Sequence, residues 1–301
     1  MTKPDYLQQG DTIGITAPAR CISEEEVMPT VQLLKEQGFN VLLSPHLFAK
    51  DNQYAGKDAE RAADMQALLD NPEVKAILCA RGGYGSVRII DQLDFTQFTK
   101  QPKWLCGYSD VTVFHSHLAT RYHIPSLHCT MPVNIKTELP FSESVVSMLR
   151  ALRGETLHYV TPPHPLNRKG NCKGKILGGN LSILYSLLGS PSDINTEGAI
   201  LFIEDLDEYL YHIDRMMMNL KRNGKLEKLE GILIGGMTDM HDNTIPYGKS
   251  AEEIVAEHCQ EYHFPVCFNF PAGHTTANLA LRLGVEAELS VETDGELTIN
   301  A

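Results

Sequence analysis

The sequence is poor in the features that would assign it to a membrane or a nucleic acid. None of its apolar runs approaches the roughly 18 residues of a membrane-spanning helix. Positive charge is scarce, since 26 lysines and arginines stand against 38 aspartates and glutamates and leave a net charge of −12. This balance argues against a nucleic-acid surface and against an anionic-membrane partner. The first residues also lack the apolar core of a signal peptide, so we expect a cytoplasmic protein.

Patterns that would hold a metal or another cofactor are missing as well. The seven cysteines include no C-x-x-C pair and lie mostly in apolar runs, so we expect free buried thiols, which suit a reducing compartment. His115 and His117 are two positions apart on a predicted helix and point to different faces, so joint ligation is not expected. The glycine-rich segment 82–85 lacks the G-x-G-x-x-G spacing of a dinucleotide site. The sequence therefore predicts no metal and no cofactor.

What the sequence does contain is a regular alternation of strand-like and helix-like segments. Its 301 residues, 43% of them hydrophobic, suffice for roughly two domains with substantial cores. Such alternation is typical of an α/β protein with a mostly parallel sheet covered on both faces. In the first half we predict strands at 12–18, 39–43, 74–80, 103–106 and 126–129, and helices at 24–37, 58–69, 86–93, 111–119 and 142–152.

A stretch rich in proline, glycine and polar residues then interrupts the alternation. We predict an N-terminal domain at 1–155, a linker at 156–172 and a C-terminal domain at 173–301. For the second domain we predict helices at 181–188, 209–220 and 250–262, strands at 199–203, 231–236 and 265–270, and a terminal hairpin at 285–299.

Residues 107–110, with the sequence Gly-Tyr-Ser-Asp, lie between a predicted strand and a predicted helix. Ser109 would sit on the turn, where the backbone N–H groups of the helix start carry positive partial charge. A serine there can act as a nucleophile, and the N–H of Asp110 can stabilise the oxyanion. The alternative is that Ser109 merely caps the helix, since serine is a preferred N-cap residue.

A serine nucleophile needs a base, and the base needs an orienting partner. Glu204 and His274 each follow an apolar strand-like run, and the order Ser109, Glu204, His274 is that of α/β-hydrolases. The G-x-S-x-G elbow of that fold is absent, because Val111 stands where its second glycine would be. Each residue also has a structural alternative: Glu204 could pair with Arg215, and His274 could be a packed loop histidine.

Five short motifs occur in order along the chain: RGGYG at 81–85, GYSD at 107–110, GGNL at 178–181, IED at 203–205 and GH at 273–274. Together with the opening segment 10–15, they make the sequence resemble the LD-carboxypeptidase family of serine peptidases over nearly its whole length. The resemblance implies a Rossmann-like N-terminal half, a smaller mixed α/β C-terminal half, an active site between them, and a homodimer.

The resemblance also assigns roles to individual residues. It makes Ser109 the nucleophile, Glu204 the carboxylate and His274 the base, with Gly83 and Asp110 as the backbone N–H donors of the oxyanion hole. No donor for the substrate's terminal carboxylate follows from it. We take the N–H of Gly82 and the Arg81 side chain as candidates, although Arg81 could equally brace its loop.

The implied activity is removal of the terminal D-alanine from murein tetrapeptides during cell-wall recycling. A second possibility within the family is a microcin C self-immunity peptidase, whose substrate carries a nucleobase that needs an aromatic surface. The sole tryptophan, Trp104, lies in a predicted core strand, which disfavours it. A possibility of another class is a non-catalytic protein that binds a small ligand.

Overall fold

The computed structural model describes residues 3–136 and 140–300, and its first half alternates as predicted. The chain begins with β1 (Thr12–Thr16), α1 (Glu24–Glu36), β2 (Asn40–Leu43), α2 (Asp58–Asp70), β3 (Val74–Cys79), α3 (Ser86–Ile89), α4 (Thr96–Lys100), β4 (Trp104–Gly107), α5 (Thr112–Arg121), β5 (Ser126–His128) and α6 (Glu143–Leu152).

The second half carries the larger sheet. It continues with β6 (Leu157–Thr161), β7 (Gly170–Asn180), α7 (Leu181–Leu187), β8 (Ala199–Leu206), α8 (Leu210–Arg222), β9 (Gly231–Thr238), α9 (Ala251–Cys259), β10 (Val266–Cys267), β11 (Leu281–Leu283), β12 (Glu286–Val291) and β13 (Gly295–Ile299). The predicted terminal hairpin is confirmed as β12 and β13, which pair antiparallel.

Two sheets organise these elements. The first has the order β11-β5-β4-β3-β1-β2 and is parallel except for β11. The second has the order β10-β9-β8-β7-β12-β13-β6, in which the first four strands are parallel and the last three antiparallel. The fold is therefore α/β, with a mostly parallel N-terminal sheet and a mixed C-terminal sheet, as the sequence predicted.

Local signals in the sequence explain several element boundaries. Ser23 and Glu26 form a capping box at the start of α1, with Glu26 Oε2 accepting from the Ser23 N–H at 2.8 Å. Gly38 follows the same helix with a φ of 86°, which a glycine adopts without strain. Strands β4 and β8 are buried along nearly their whole length, as expected for parallel strands covered on both faces.

Several segments differ from the prediction, which also contained neither strand β7 nor helix α4. Part of the predicted linker forms strand β6, which pairs with β13 at the edge of the second sheet. The predicted strand 265–270 is limited to β10, because Asn269 has a φ of 60° that an extended strand cannot continue through. Strand β11 returns from the second half and pairs with β5 of the first sheet. The division into domains at 156–172 remains a prediction.

The carboxyl ends of parallel strands from both sheets meet at one place. The loops after β1, β3 and β4 reach it from the first sheet, and the ends of β7 and β8 reach it from the second. Ligands of α/β proteins bind at such strand ends. Within the described ranges, no helix has the length and apolar character needed to cross a membrane.

Candidate active site

A cavity of about 500 Å³ lies where the strand ends of the two sheets meet. Its wall includes most of the residues singled out from the sequence: Arg81, Gly82, Gly83, Ser109, Asp110 and His274. Glu204 is fully buried behind His274. The fold therefore brings together residues that lie up to 193 positions apart in the sequence (81 to 274).

Ser109 occupies the turn between β4 and α5 in a strained backbone conformation. Its φ of 63° is in the left-handed region, which costs a residue with a Cβ roughly 1–2 kcal/mol. Gly107 enables the turn, because a Cβ there would lie 2.9 Å from Val111 Cγ2. The turn thus presents its serine as an elbow does, with Val111 in helical conformation where G-x-S-x-G has its second glycine. Strain of this kind is concentrated at functional sites.

The capping alternative for Ser109 is not supported. The side chain caps neither the short 3-10 turn Ser109–Val111 nor helix α5. To the residues that the structure describes, Ser109 Oγ makes no hydrogen bond, including none to His274. Contacts between a nucleophile and its base are often loose without substrate. The hydroxyl is therefore available to a ligand in the cavity.

Glu204 fixes His274 through two hydrogen bonds to one oxygen. Glu204 Oε2 accepts from the His274 ring Nδ1 at 2.7 Å and from the His274 backbone N–H at 3.1 Å. This arrangement places the ring proton on Nδ1 and leaves the Nε2 lone pair for a second partner. Gly273 permits the approach, since a Cβ there would lie 2.5 Å from Glu204 Oε2. The alternative pairing of Glu204 with Arg215 is wrong, because Arg215 packs over the Tyr211 ring.

Residues that sequence reasoning missed hold His274 from the other side. The ring of Tyr108 lies 4.8 Å from the ring of His274, measured between centroids. Asn278 Oδ1 accepts from the Gly273 N–H at 2.8 Å and from His128 Nε2 at 2.9 Å. Burial lowers the pKa of His128 to about 3, so this histidine stays neutral. Tyr108 lies inside the motif at 107–110, although no role was predicted for it, whereas Asn278 carried no signal.

Gly83 and Asp110, whose backbone N–H groups the sequence suggested as oxyanion donors, line the same cavity as Ser109. Gly82 packs against the serine, since a Cβ on Gly82 would lie 2.9 Å from Ser109 Cβ and 3.4 Å from the Asp110 nitrogen. The N–H groups of Gly83 and Asp110 donate no hydrogen bond to another described residue. Their free donors and their position at the cavity suit the stabilisation of developing negative charge.

Comparisons with known proteins match both halves of the chain to one family. Residues 13–129 match the N-terminal domain of the LD-carboxypeptidase family, and residues 173–289 match its C-terminal domain. The chain belongs to the LD-carboxypeptidase family. It is 34% identical, over 96% of its length and 91% of the relative's, to a Bacillus subtilis protein named "Probable murein peptide carboxypeptidase".

Two further similar proteins have names that indicate two different activities. The Escherichia coli microcin C7 self-immunity protein MccF is 28% identical over 96% of this chain and 93% of its own length. The crystal structure of muramoyltetrapeptide carboxypeptidase from Oxalobacter formigenes superposes with a TM-score of 0.87 at 25% identity, covering 96% of this chain and 99% of the other. This LD-carboxypeptidase family member is therefore a peptidase by family, with the family's fold.

Arg81 and Asp205 add charge to the cavity of this LD-carboxypeptidase family member. Arg81 Nη1 lies 3.4 Å from both Glu26 Oε1 and the Cys21 carbonyl oxygen, which ties its side chain to its surroundings. Asp205 accepts hydrogen bonds from Asn180 Nδ2 and from the Ser182 N–H, at 2.9 and 2.8 Å. Burial, and secondarily the charge of Glu204, raises the pKa of Asp205 to about 7.

The other candidates from the sequence lie apart from this site or are committed to structure. His115 contacts Ser126 Oγ and the Gly107 carbonyl, whereas His117 contacts Ser192 Oγ, so the two rings do not converge. All seven cysteines are free. In the described part of the chain, no group of three or more His, Cys, Asp or Glu side chains could hold a metal ion.

Proposed function

We propose that this chain is a serine carboxypeptidase that hydrolyses the L,D-amide bond before the terminal D-alanine of murein tetrapeptides. The observation that carries the proposal is the cavity lined both by a strained Ser109 and by a histidine already oriented by a buried carboxylate. The names of its relatives favour a murein peptide as the substrate. We place the reaction in cell-wall recycling.

In the proposed reaction, His274 acts first as a base. Its Nε2 takes the proton of Ser109, and Ser109 Oγ attacks the carbonyl carbon of the scissile amide. The N–H groups of Gly83 and Asp110 donate to the resulting oxyanion. When the intermediate collapses, the protonated His274 gives its proton to the leaving nitrogen of D-alanine, and an ester to Ser109 remains.

Water completes the proposed cycle. His274 removes a proton from a water molecule, which attacks the ester carbon, and the proton returns to Ser109 Oγ as the shortened peptide leaves. Glu204 keeps the imidazole in the Nδ1-protonated tautomer and stabilises the imidazolium that forms in each half. Because the carboxylate is fully buried, water does not screen this interaction.

We place the terminal carboxylate of the substrate at the cavity wall formed by residues 81–83. An exopeptidase must bind a free chain end, and a carboxylate close to the scissile bond needs hydrogen-bond donors. Gly82 and Arg81 both line this wall and were the candidates from the sequence. The wall adjoins Ser109 through Gly82, as a site for a group next to the scissile bond requires.

The alternative of a microcin C-type peptidase receives less support. Trp104 is 1% exposed and donates its indole N–H to the Asp5 carbonyl at 3.1 Å, while its ring stacks on Tyr6. It therefore offers no surface to a nucleobase. The alternative of a non-catalytic binding protein gives no reason for a strained serine and an oriented histidine in one cavity.

Purified protein incubated with murein tetrapeptide, tripeptide and pentapeptide tests the proposal. We expect mass spectrometry to show conversion of the tetrapeptide to the tripeptide with release of D-alanine, and little reaction of the other two. In a parallel incubation with a peptidyl-nucleotide, cleavage of that substrate in place of the tetrapeptide would support the self-immunity alternative. Protein that binds the tetrapeptide without cleaving it would support the non-catalytic alternative.

The setting of the enzyme is also a proposal. Seven free cysteines favour a reducing compartment, and we place the protein in the cytoplasm. The resemblance to the family suggests a homodimer, which sedimentation of the purified protein would test. We propose neither nucleic acid nor membrane as a partner, because the net charge of −12 disfavours both.

A further inference from the structure

Two arginines line the cavity, and their surroundings differ. Arg81 is tied to Glu26 and to a backbone carbonyl, as described above. The side chain of Arg20 is exposed and makes neither a hydrogen bond nor an ion pair with any residue between 3 and 136 or between 140 and 300. Arg20 therefore carries a positive charge at the cavity that no carboxylate of the described chain neutralises.

The backbone that carries Arg20 is held firmly. The Arg20 N–H donates to the Gly82 carbonyl at 3.3 Å, and the Ala55 N–H donates to the Ala19 carbonyl at 3.0 Å. The buried guanidinium of Arg61 donates to the Pro18 carbonyl. The segment that follows β1 is thus fixed from three directions, which reduces the entropy lost when its side chain binds a ligand.

The stem of Arg20 lies over Gly83. A Cβ on Gly83 would be 3.0 Å from Arg20 Cδ and 3.1 Å from Arg20 Cβ, so the glycine leaves the space that the stem occupies. Gly82, the preceding residue, packs against Ser109 in the same way. The guanidinium therefore extends from the wall that adjoins the nucleophile and the N–H groups proposed for the oxyanion.

The opposite side of the cavity carries the other sign of charge. Asp207 and Glu208 line it from the loop after β8, where each carboxylate also contacts a histidine. Asp205, whose pKa burial raises to about 7, lines it from the end of β8. A substrate carboxylate would be repelled there and attracted to Arg20, whose planar guanidinium can donate two parallel hydrogen bonds to it. The charges of the two sides thus define the direction in which a peptide with a free C-terminus enters.

We propose that Arg20 binds the terminal carboxylate of the peptide substrate and thereby makes the enzyme select a free chain end. The inference rests on the proposed carboxypeptidase function and names the residue that distinguishes an acid from its amide. Arg81, in this account, braces the loop 81–83 through Glu26 and does not contact the carboxylate. Comparing the cleavage of a peptide acid with that of its amide distinguishes the roles of the two arginines.

The experiment measures kcat/KM for the tetrapeptide acid and for its C-terminal amide with wild-type protein, Arg20→Gln and Arg81→Gln. In Arg20→Gln we expect the value for the acid to fall about 10- to 100-fold, the loss typical of a hydrogen bond to a charged group, with little change for the amide. Arg20→Lys, which keeps the charge without the planar fork, should recover part of the loss. Arg81→Gln removes the same charge from the same cavity and should lower both values by a similar factor.

The outcomes separate this inference from the function on which it rests. An acid-to-amide ratio in Arg20→Gln equal to that of the wild type would overturn the inference and leave the carboxypeptidase function standing. So would a ratio that collapses in Arg81→Gln alone, because the carboxylate would then be bound by Arg81. Wild-type protein that cleaves neither substrate would overturn the proposed function and this inference with it. Because the Arg20 side chain is exposed, we expect thermal melting of Arg20→Gln to match the wild type.

Discussion

One carboxylate oxygen, Oε2 of Glu204, accepts hydrogen bonds from both the ring and the backbone of His274. The same residue's other oxygen, Oε1, is buried and has no hydrogen-bond partner among the described residues. A fully buried carboxylate with one unsatisfied oxygen is costly to the fold. We infer that its charge is retained for what it does to the histidine.

The Glu204→Gln variant removes the charge of the side chain and keeps its shape. A glutamine oxygen can still accept both hydrogen bonds of His274, but the neutral amide cannot stabilise the imidazolium of the proposed reaction. We expect kcat to fall by at least about 100-fold, while the free energy of unfolding stays the same or rises because a buried charge is gone. Kinetics with the tetrapeptide measure the change in kcat, and urea denaturation measures the change in the free energy of unfolding.

A matched variant, Glu257→Gln on helix α9, removes the carboxylate of a surface ion pair with Lys249 and should change neither quantity noticeably. If Glu204→Gln kept wild-type kcat, the carboxylate would be structural and its place in the proposed mechanism would be lost.

Gly82 tests how closely the cavity wall must approach the serine. Its backbone φ is not in the left-handed region, so alanine there meets no backbone strain. The new Cβ would nevertheless lie 2.9 Å from Ser109 Cβ and 3.1 Å from Ser109 Oγ, so the serine turn must shift. We expect Gly82→Ala to lower kcat at least about tenfold and to cost about 1–3 kcal/mol of stability, as overpacking does.

Gly189→Ala provides the comparison for Gly82→Ala. Gly189 has a φ of 76° and open space around its Cα, so alanine there costs about 1 kcal/mol of backbone strain without touching the cavity. Equal activity in the two alanine variants would show that the contact between Gly82 and Ser109 has no catalytic importance.

Asp205 should give the free energy of unfolding a distinctive pH dependence. Burial raises its pKa in the folded protein to about 7, whereas the unfolded chain titrates near the ordinary value of about 3.9. Between these values the folded state binds more protons, so this group stabilises the fold as pH falls from 7 to 4, by about 4 kcal/mol at most. The stabilisation is lost as pH rises through 7.

The measurement compares urea denaturation of the wild type and Asp205→Asn from pH 4 to pH 8. Asparagine does not titrate, so the difference in unfolding free energy should shift in favour of the variant as pH rises. A difference that stays constant across this range would mean that Asp205 is ionised throughout. The slope is the informative quantity, because asparagine also loses the acceptor for the Ser182 N–H.

The features predicted best from the sequence are those that depend on the pattern of neighbouring residues. The capping box at Ser23, the terminal hairpin and the alternation of strands and helices all rest on neighbouring residues, and the structure contains each of them. Strand β11 was missed because a three-residue strand carries almost no periodicity, and its pairing with β5 depends on chain more than 150 residues away.

The residues of the candidate site were likewise predicted only in part. Ser109, Glu204 and His274 were found through short motifs in a family order, and the fold places Ser109 and His274 at one cavity with Glu204 behind them. Arg20 and Asn278 were missed, because neither stands in a motif and each owes its position to contacts between distant segments. The backbone strain at Ser109 was also not predicted, because Val111 stands where the elbow motif has its second glycine.

The rate of D-alanine release from the murein tetrapeptide by Ser109→Ala, relative to wild type, decides whether Ser109 is the nucleophile. Alanine keeps the Cβ and removes only the hydroxyl, so the variant should fold and melt like the wild type. If Ser109 is the nucleophile, kcat should fall by about 1,000-fold or more, with residual catalysis coming only from binding and the oxyanion donors. A folded Ser109→Ala protein that retains more than about a tenth of wild-type kcat would contradict the account, because such retention is far above what the loss of a nucleophile allows.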